Sequence, residues 1–342
     1  MQNLWFERGA YASKSARQYI NSEFDPATIN KIAVIRHAAL GDQVIVRPFL
    51  VETRKFFPNA KITLVTVSNY LYGTPSDLAD NTIIMKGRED AKNLSLKEKW
   101  DDYNQLEEQD IVFDVAGTSR SYWMTLMTKS KLKVGFPYKP QLCGTLYNLA
   151  VFRSDFQPEV ECMLDMLKIL GHSPHYPLDF AYPDHRLICE SESPYIVYFN
   201  GASQLSKILS KDEMYDVIAT AVEQQANVKH IFLEGKNAFE KGEYLQDLVN
   251  AEKVSIQPCL PLDELIEFIA KATLVIAPDT GIRNVAISTH TPTVGIFYST
   301  VPFRYTPVYE RHSIVMNANG DKPSTAQIAK ALDSALSNNR IQ

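Results

Sequence analysis

Apolar and polar positions along the chain define two kinds of segment that alternate. Short apolar runs rich in Val and Ile have the character of buried strands, and longer segments repeat their apolar positions at helical spacing. The predicted strands are Lys31–Arg36, Lys61–Val67, Ile111–Val115, Lys133–Phe136, Tyr195–Phe199, His230–Leu233, Thr273–Ala277 and Thr293–Phe297. The predicted helices are Gln43–Phe57, Glu159–Leu170, Lys211–Gln224, Leu262–Ala270 and Ala326–Leu336, after an irregular or helical lead-in over residues 1–30. This alternation predicts an α/β fold with parallel, doubly wound sheets.

A proline-rich connection interrupts the alternation midway along the chain. Pro174, Pro177 and Pro183 follow the helix that ends before Gly171, and such segments are typical of domain linkers. We therefore predict two Rossmann-like domains, residues 1–180 and residues 181–342, that face each other across a cleft. The closing helix, residues 326–336, is expected to pack back on the first domain.

The composition is that of a globular protein, with 45% hydrophobic and 22% charged residues in 342. A net charge of −5 argues against general binding of nucleic acid, which requires a basic face. The four cysteines form no C-x-x-C pair, so a zinc or dithiol site is not expected. The N-terminal residues do not resemble a secretory leader, and no apolar run reaches the ~18 residues of a membrane span. These observations predict a cytoplasmic protein.

One predicted strand ends directly in Asp279-Thr280-Gly281, where a helical pattern begins. The free N–H groups and the dipole at a helix N-terminus attract anions, so this loop predicts a diphosphate site. A second loop, Arg36 to Asp42, has the same strand–loop–helix form and carries a carboxylate. One loop is thus suited to a phosphorylated donor and the other to acid–base chemistry.

Four motifs in this order resemble the family 9 glycosyltransferases, the heptosyltransferases of the bacterial lipopolysaccharide inner core. The motifs are Arg36-His37-Ala38-Ala39-Leu40-Gly41-Asp42 with Phe57-Pro58-Asn59-Ala60-Lys61-Ile62, Asp114-Val115-Ala116-Gly117 with Arg120, Asn200-Gly201-Ala202-Ser203 with Lys207, and Asp279-Thr280-Gly281 with Thr291-Pro292-Thr293 and Gly295-Ile296-Phe297. The resemblance implies a GT-B fold and an inverting, metal-independent transfer of heptose, or a related sugar, from a nucleotide sugar. ADP-heptose is the usual donor, and no cofactor is implied. The N-terminal domain would take a lipid-linked saccharide acceptor, with transient contact at the inner membrane, and the C-terminal domain would take the donor.

The resemblance also implies roles for individual residues. Asp42 matches the general base that takes the proton from the acceptor hydroxyl, and Lys207 matches the lysine that neutralises the leaving diphosphate. Relatives carry a carboxylate for the ribose near the position of Asn237, and Leu260 is expected to form an apolar wall for adenine. The donor-binding set is Gly201, Ser203, Lys207, Asn237, Leu260, Asp279, Thr280, Gly281, Ile282 and Asn284.

Four arginines are candidates for binding an acidic acceptor, because guanidinium groups pair with carboxylates and phosphates in a bidentate way. They are Arg36, Arg47, Arg120 and Arg283. For each of them a surface salt bridge is the competing interpretation. For Asp42 and Asp279 the competing role is a helix cap, and for Lys207 it is a solvated side chain.

The chain departs from the family pattern in the donor loop. Heptosyltransferases usually carry Asp-Thr-Gly-x-x-His, whereas this chain has Asn284 at the histidine position. An imidazole can become a cation and an amide cannot. Two other functions therefore remain open, namely a GT-B transferase with another nucleotide sugar or acceptor, as in capsule or protein glycosylation, and a non-catalytic binder of nucleotide sugars. No D-x-D pair is present, so no metal site is predicted.

Overall fold

The computed structural model describes residues 10–137, 146–188, 193–307 and 311–339. The chain divides into two compact units, Met1–Ala181 and Tyr182–Gln342, where the sequence analysis had placed the division after residue 180. Each unit contains a largely parallel sheet with helices, which confirms the predicted α/β class. In the described parts of the chain, no helix is both long enough and apolar enough to cross a membrane.

The first unit has a seven-stranded sheet of order β1-β7-β6-β5-β2-β3-β4. The short β1 is antiparallel to β7, and the other pairs are parallel. Its strands are β1 (Tyr11–Ala12), β2 (Lys31–Ile35), β3 (Lys61–Val67), β4 (Asn81–Met85), β5 (Gln109–Asp114), β6 (Ser130–Gly135) and β7 (Leu149–Ala150). Its described α-helices are α1 (Lys14–Ser22), α2 (Leu40–Ile45), α3 (Arg47–Phe56), α4 (Leu96–Tyr103), α5 (Ser119–Met127) and α6 (Glu159–Lys168).

The second unit has a six-stranded parallel sheet of order β10-β9-β8-β11-β12-β13. Its strands are β8 (Tyr195–Tyr198), β9 (Lys229–Leu233), β10 (Ser255–Gln257), β11 (Leu274–Pro278), β12 (Thr293–Ile296) and β13 (His312–Val315). Its described α-helices are α7 (Lys211–Gln224), α8 (Gln246–Asn250), α9 (Leu262–Ala270), α10 (Gly281–Ser288) and α11 (Thr325–Asn339). In such sheets ligands bind beyond the carboxyl ends of the strands, and the motif loops of this unit follow β8 and β11 at that edge.

Burial on both faces explains the unbroken apolar runs of the central strands. In β2, the residues from Ile32 to Ile35 are fully buried, and β11 is buried along its whole length. Parallel strands covered by helices on both sides have this composition. The loops that carry the motif residues Asp42 and Asp279 thus follow these two buried strands.

The closing helix α11 packs on the sheet of its own unit. Its buried residues Ile328, Leu332 and Leu336 belong to one apolar cluster with Ile276 and Val294 of that sheet. Its apolar stripe is therefore used in the core of the second unit.

The segment predicted as one helix, Gln43–Phe57, is two helices. Val46 separates α2 from α3, and Pro48 stands in the first turn of α3. Proline has no N–H to donate to the preceding turn, so the helix starts afresh there. Helix α2 begins at Leu40, which brings Asp42 inside its first turn.

Candidate active site

Asp42 lies at the carboxyl edge of the first sheet, in the first turn of α2. The N-cap residue of this helix is Ala39, so the alternative role of Asp42 as an N-cap does not apply. Its side chain is 37% exposed. A carboxylate in this position is favoured by the helix dipole and remains open to a ligand.

The side chain of Arg36 contacts both the backbone and the carboxylate of Asp42. Its Nε donates to the Asp42 carbonyl oxygen at 3.3 Å, and its Nη2 lies 3.5 Å from Asp42 Oδ1. Its Nη1 donates to Val115 O at 2.7 Å and to Glu159 Oε1 at 3.2 Å. Arg36 is only 3% exposed. Burial and these contacts contradict the prediction that Arg36 binds the acceptor, and they make it a support for Asp42.

The neighbouring loop after β5 is fixed by a buried carboxylate. Asp114 Oδ1 accepts from the N–H groups of Ala116 and Gly117, and Oδ2 accepts from Tyr147 Oη at 2.7 Å. Burial raises the pKa of Asp114, although these hydrogen bonds oppose the shift. Gly117 has φ +62, a left-handed conformation that glycine adopts readily. The motif Asp114–Gly117 thus shapes a turn beside Asp42's loop.

His37 joins these two loops and was not identified from the sequence. Its Nδ1 lies 3.0 Å from Thr118 Oγ1, the hydroxyl that also caps α5. Nε2 is buried and has no hydrogen-bond partner within the described ranges. Burial, with the charges of Arg120 and Arg36, lowers the pKa of His37 to about 3, so the ring is neutral.

Arg47 and Arg120 have different environments. Arg47 is 2% exposed and forms a bidentate pair with Asp77, while its Nε donates to Phe180 O. This placement contradicts the prediction that Arg47 binds the acceptor, because its N–H groups already donate to Asp77 and to the backbone carbonyls of Phe180 and Ala181. Arg120 lies partly exposed in the first turn of α5 and stays a candidate.

The second unit presents the N-terminus of α10 at the carboxyl edge of its sheet. Thr280 is the N-cap residue, and its side chain makes no capping hydrogen bond. The first intrahelical bond runs from Asn284 N to Thr280 O, so Gly281 N and Ile282 N have no acceptor inside the helix. An uncapped helix start of this kind is suited to an anion.

Lys207 is held at the predicted donor loop by Asp279. Its Nζ donates to Asp279 Oδ2 at 2.8 Å, and the two side chains are 18% and 9% exposed. Asp279 precedes the N-cap residue, so its carboxylate binds the lysine instead of capping the helix. The interpretation of Lys207 as a freely solvated side chain is therefore wrong.

Asn200 closes the loop that carries Lys207. Its Nδ2 donates to Leu209 O and its Oδ1 accepts from Leu209 N, both at 3.0 Å. Tyr298 Oη donates to Ile208 O at 2.5 Å and fastens the same loop. Gly201 is buried and Ser203 is exposed within it. The motif asparagine thus sets the shape of the loop.

Glu240 is a buried carboxylate that the sequence analysis missed. It is 7% exposed, and its Oε2 accepts from Asn237 N at 2.8 Å. A Cβ at Gly201 would overlap Glu240 Oε1, and a Cβ at Gly235 would overlap Oε2. The expectation that relatives carry a carboxylate for the ribose near the position of Asn237 could have pointed to Glu240, three residues further on. Asn237 is itself exposed, and Leu260 is half-buried after β10.

Asn284 and Arg283 follow each other in α10 but have different environments. Asn284 is 6% exposed, and its side chain makes no hydrogen bond within the described ranges. Arg283 is fully buried, with Nη1 donating to Tyr305 O and Nη2 to Thr306 Oγ1. This burial contradicts the prediction that Arg283 binds the acceptor.

Within the same described ranges, no group of three His, Cys, Asp or Glu side chains could hold a metal ion.

The comparisons with known proteins point to one family. The model of glycosyltransferase family 9 (heptosyltransferase) matches residues 103–333. The lipopolysaccharide core heptosyltransferase OpsX of Haemophilus influenzae is 22% identical over 301 residues, which are 83% of this chain and 83% of OpsX. The heptosyltransferase WaaC of E. coli, solved with ADP-2-deoxy-2-fluoro heptose, has a TM-score of 0.70 at 18% identity over 90% of this chain and 99% of WaaC.

A family 9 glycosyltransferase of Veillonella parvula has a TM-score of 0.66 at 19% identity, over 92% of this chain and 100% of that one. The solved structures confirm the predicted GT-B type of fold.

Proposed function

Because this chain belongs to glycosyltransferase family 9, the heptosyltransferases, we propose that it transfers heptose, or a related sugar, from an ADP-sugar to a lipopolysaccharide core-type acceptor. Membership of the family makes it a glycosyltransferase. The proposal of a nucleotide-sugar donor depends on the position of Lys207. Its Nζ lies 2.8 Å from Asp279 Oδ2, at the uncapped N-terminus of α10.

The leaving nucleoside diphosphate gains negative charge as the glycosidic bond breaks. In the proposal, the N–H groups of Gly281 and Ile282 and the ammonium of Lys207 hold this charge. Fixed donors of this kind require little reorganisation during the reaction. Thr280 and Ser203 would add hydroxyl donors, and Asn284 would contribute an amide from the next turn of the helix.

Asp42 is the proposed general base. Inverting transfer needs one carboxylate that removes the proton from the acceptor hydroxyl while its oxygen attacks the anomeric carbon. The partly exposed Asp42 meets this need, because Arg36 fixes its position from the buried side. Arg120 is the remaining arginine candidate for an acidic group of the acceptor.

The other donor residues receive roles in the same proposal. Asp279 would accept hydrogen bonds from sugar hydroxyls as well as from Lys207. Leu260 would line the adenine, while Glu240, with Asn237 beside it, would bind the ribose. A buried carboxylate without an ion-pair partner in the described ranges is suited to a pair of hydroxyl donors.

We also propose that the reaction needs no metal ion and takes place in the cytoplasm, in transient contact with the inner membrane. The lack of a D-x-D pair and the cationic donor loop support metal independence. The lipid anchor of the proposed acceptor supports the membrane contact. EDTA is expected to leave the rate unchanged, and vesicles that contain the acceptor are expected to retain the protein.

The decisive experiment incubates the purified protein with ADP-heptose and a deacylated core saccharide and analyses the product by mass spectrometry. We expect a mass gain of one heptose in the acceptor and an inverted anomeric centre by NMR. A thermal-shift panel of ADP-, GDP- and UDP-sugars tests the donor, because a ligand stabilises the folded state it binds. A larger thermal shift with a GDP- or UDP-sugar would show that the donor is not an ADP-sugar. Binding of a nucleotide sugar without any transfer would contradict the proposed enzymatic function.

A further inference from the structure

Tyr298 connects the loop after β12 to the loop that carries Lys207. Its ring is half-buried and packs against the apolar core of the second unit. Its hydroxyl donates to Ile208 O at 2.5 Å, one residue beyond Lys207. A side chain with its ring in the core and its hydroxyl on the backbone of another loop fixes the position of that backbone.

The loop that carries Lys207 has little structure of its own. Residues 203–206 are exposed, and they lead into a single 3₁₀ turn, Leu205–Lys207. Immediately after the lysine, Tyr298 binds the carbonyl of Ile208, and Asn200 binds both the N–H and the carbonyl of Leu209. Because a lysine has a long and flexible stem, the place of its ammonium depends on how its backbone is held.

The surroundings of Tyr298 keep its hydroxyl protonated and its ring in place. Burial, with the charge of Glu213, raises the pKa of Tyr298 to about 12, so the hydroxyl is a donor at neutral pH. Lys322 Nζ lies 5.5 Å from the centre of the ring and 2.9 Å from Glu213 Oε2. Since Glu213 belongs to the first turn of α7, these contacts tie the ring to that helix.

The loop after β12 is also bonded to α10, the helix at the proposed donor site. Arg283 of α10 donates to Tyr305 O at 3.2 Å and to Thr306 Oγ1 at 2.8 Å. Residues 298–306 are thus attached to the lysine loop at one end and to α10 at the other. This segment connects the two parts of the chain that would hold the diphosphate.

We propose that Tyr298 is a positioning residue for Lys207, because its bond to Ile208 O keeps the ammonium of Lys207 beside Asp279, where a diphosphate is received. The inference rests on the proposed function of Lys207 in the donor site. Without the phenol hydroxyl, the backbone after the lysine loses one of its two side-chain supports, and the ammonium occupies more positions. Binding of a diphosphate must then order the lysine, which lowers the affinity.

The test measures the binding of ADP and of adenosine to the full chain by titration calorimetry. Tyr298→Phe keeps the ring in the core and removes only the hydroxyl. Tyr195→Phe is the matched control, because Tyr195 Oη also donates to a backbone carbonyl, Phe268 O at 2.6 Å, from the first residue of β8. Lys207→Met reports on the donor site itself, and a double variant combines Lys207→Met with Tyr298→Phe.

We expect Tyr298→Phe to weaken ADP binding by about fivefold and to leave adenosine affinity within about twofold of the unmodified protein. Lys207→Met is expected to weaken ADP binding by at least about tenfold. The double variant should bind ADP as Lys207→Met does, because Tyr298 acts through the lysine. Tyr195→Phe should leave both affinities unchanged, and circular dichroism checks that each variant is folded.

The possible failures are distinguishable. Unchanged ADP affinity in Lys207→Met would contradict the proposed donor site, and the inference with it. Weak binding in Lys207→Met together with normal binding in Tyr298→Phe would contradict only the role of Tyr298. Additive losses in the double variant, or equal losses for ADP and adenosine in Tyr298→Phe, would also overturn that role, because either result shows an effect that does not pass through Lys207.

Discussion

The ammonium of Lys207 lies 2.8 Å from the carboxylate of Asp279, so the cation and the acid of the proposed donor site constrain each other. This pair explains how one loop can favour an anion and still carry an aspartate beside the helix start. The carboxylate orients the lysine, and in the proposed function the helix N-terminus and the lysine together would receive the phosphate oxygens. Substitutions of the two residues should therefore affect binding and turnover differently.

Asp279→Asn is expected to uncouple nucleotide binding from transfer. Loss of the negative charge leaves ADP affinity unchanged or raises it by up to about tenfold. Loss of the acceptor for sugar hydroxyls, with a less ordered Lys207, lowers the transfer rate by about 100-fold. Calorimetry with ADP and initial rates measure the two effects, and Glu267→Gln in the exposed pair with Lys271 is the control. A parallel loss of ADP binding would contradict this division of roles.

Asp42→Asn is expected to abolish turnover and preserve donor binding. The amide is nearly isosteric with the carboxylate but cannot take a proton, so the rate should fall by about 1,000-fold. ADP binding should change by less than about twofold. Glu107→Gln, a substitution of an 82% exposed carboxylate in the same unit, is the control. A transfer rate within about tenfold of the unmodified enzyme would exclude Asp42 as the base.

His37 is expected to make the stability of the protein depend on pH. Its folded-state pKa is lowered to about 3, whereas an unfolded histidine titrates near ~6.5. The unfolded state therefore binds more protons below pH ~6.5, and stability is lost as the pH falls from there toward about 3.

Urea unfolding between pH 7 and pH 4 measures this effect. The contribution of His37 to the slope should approach ~1.4 kcal/mol per pH unit, and His37→Gln should remove it. The control is His175→Gln, because the His175 side chain is 77% exposed. An unchanged slope in the His37 variant would show that the imidazole titrates normally in the fold.

Gly201→Ala is expected to disturb the donor loop through Glu240. The added Cβ would overlap Glu240 Oε1 and the Phe199 ring, which forces one of them to move. We expect a loss of about 1–3 kcal/mol in unfolding free energy and weaker binding of ADP. Glu240→Gln keeps the shape of the side chain and should retain the stability while weakening the nucleoside contact. Thermal unfolding and calorimetry on both variants separate the steric effect from the loss of charge.

The central strands were predictable because they are buried on both faces and their sequences are continuously apolar. The edge strand β4 was missed, since three of its five residues are exposed and only Ile83, Ile84 and Met85 are apolar. Helix α4 was missed for a similar reason, because none of its residues is buried. The strand β1 is only two residues long and exists through its pairing with β7, which sequence periodicity does not reveal.

For the site, the sequence indicated which loops matter but not the environment of each side chain. The motif residues Asp42, Lys207 and Asp279 lie in the segments that follow β2, β8 and β11, as the pattern predicted. The burial of Arg47 and Arg283 could not be predicted, because their partners include backbone carbonyls of Phe180 and Tyr305. Contacts between residues far apart in the chain decide whether a guanidinium faces a ligand or the core.

The contact of Arg36 with Glu159 links positions 123 residues apart. Each side chain is almost fully buried, and each has a second charged partner, Asp42 for Arg36 and Arg153 for Glu159, so losing either charge would leave this buried cluster with an unbalanced charge. Lineages that descend from this protein should therefore exchange the two residues together or keep both. Under the proposed acceptor role of Arg120, the exposed neighbours Ser119 and Trp123 are the positions to vary in a laboratory search for new acceptor preferences.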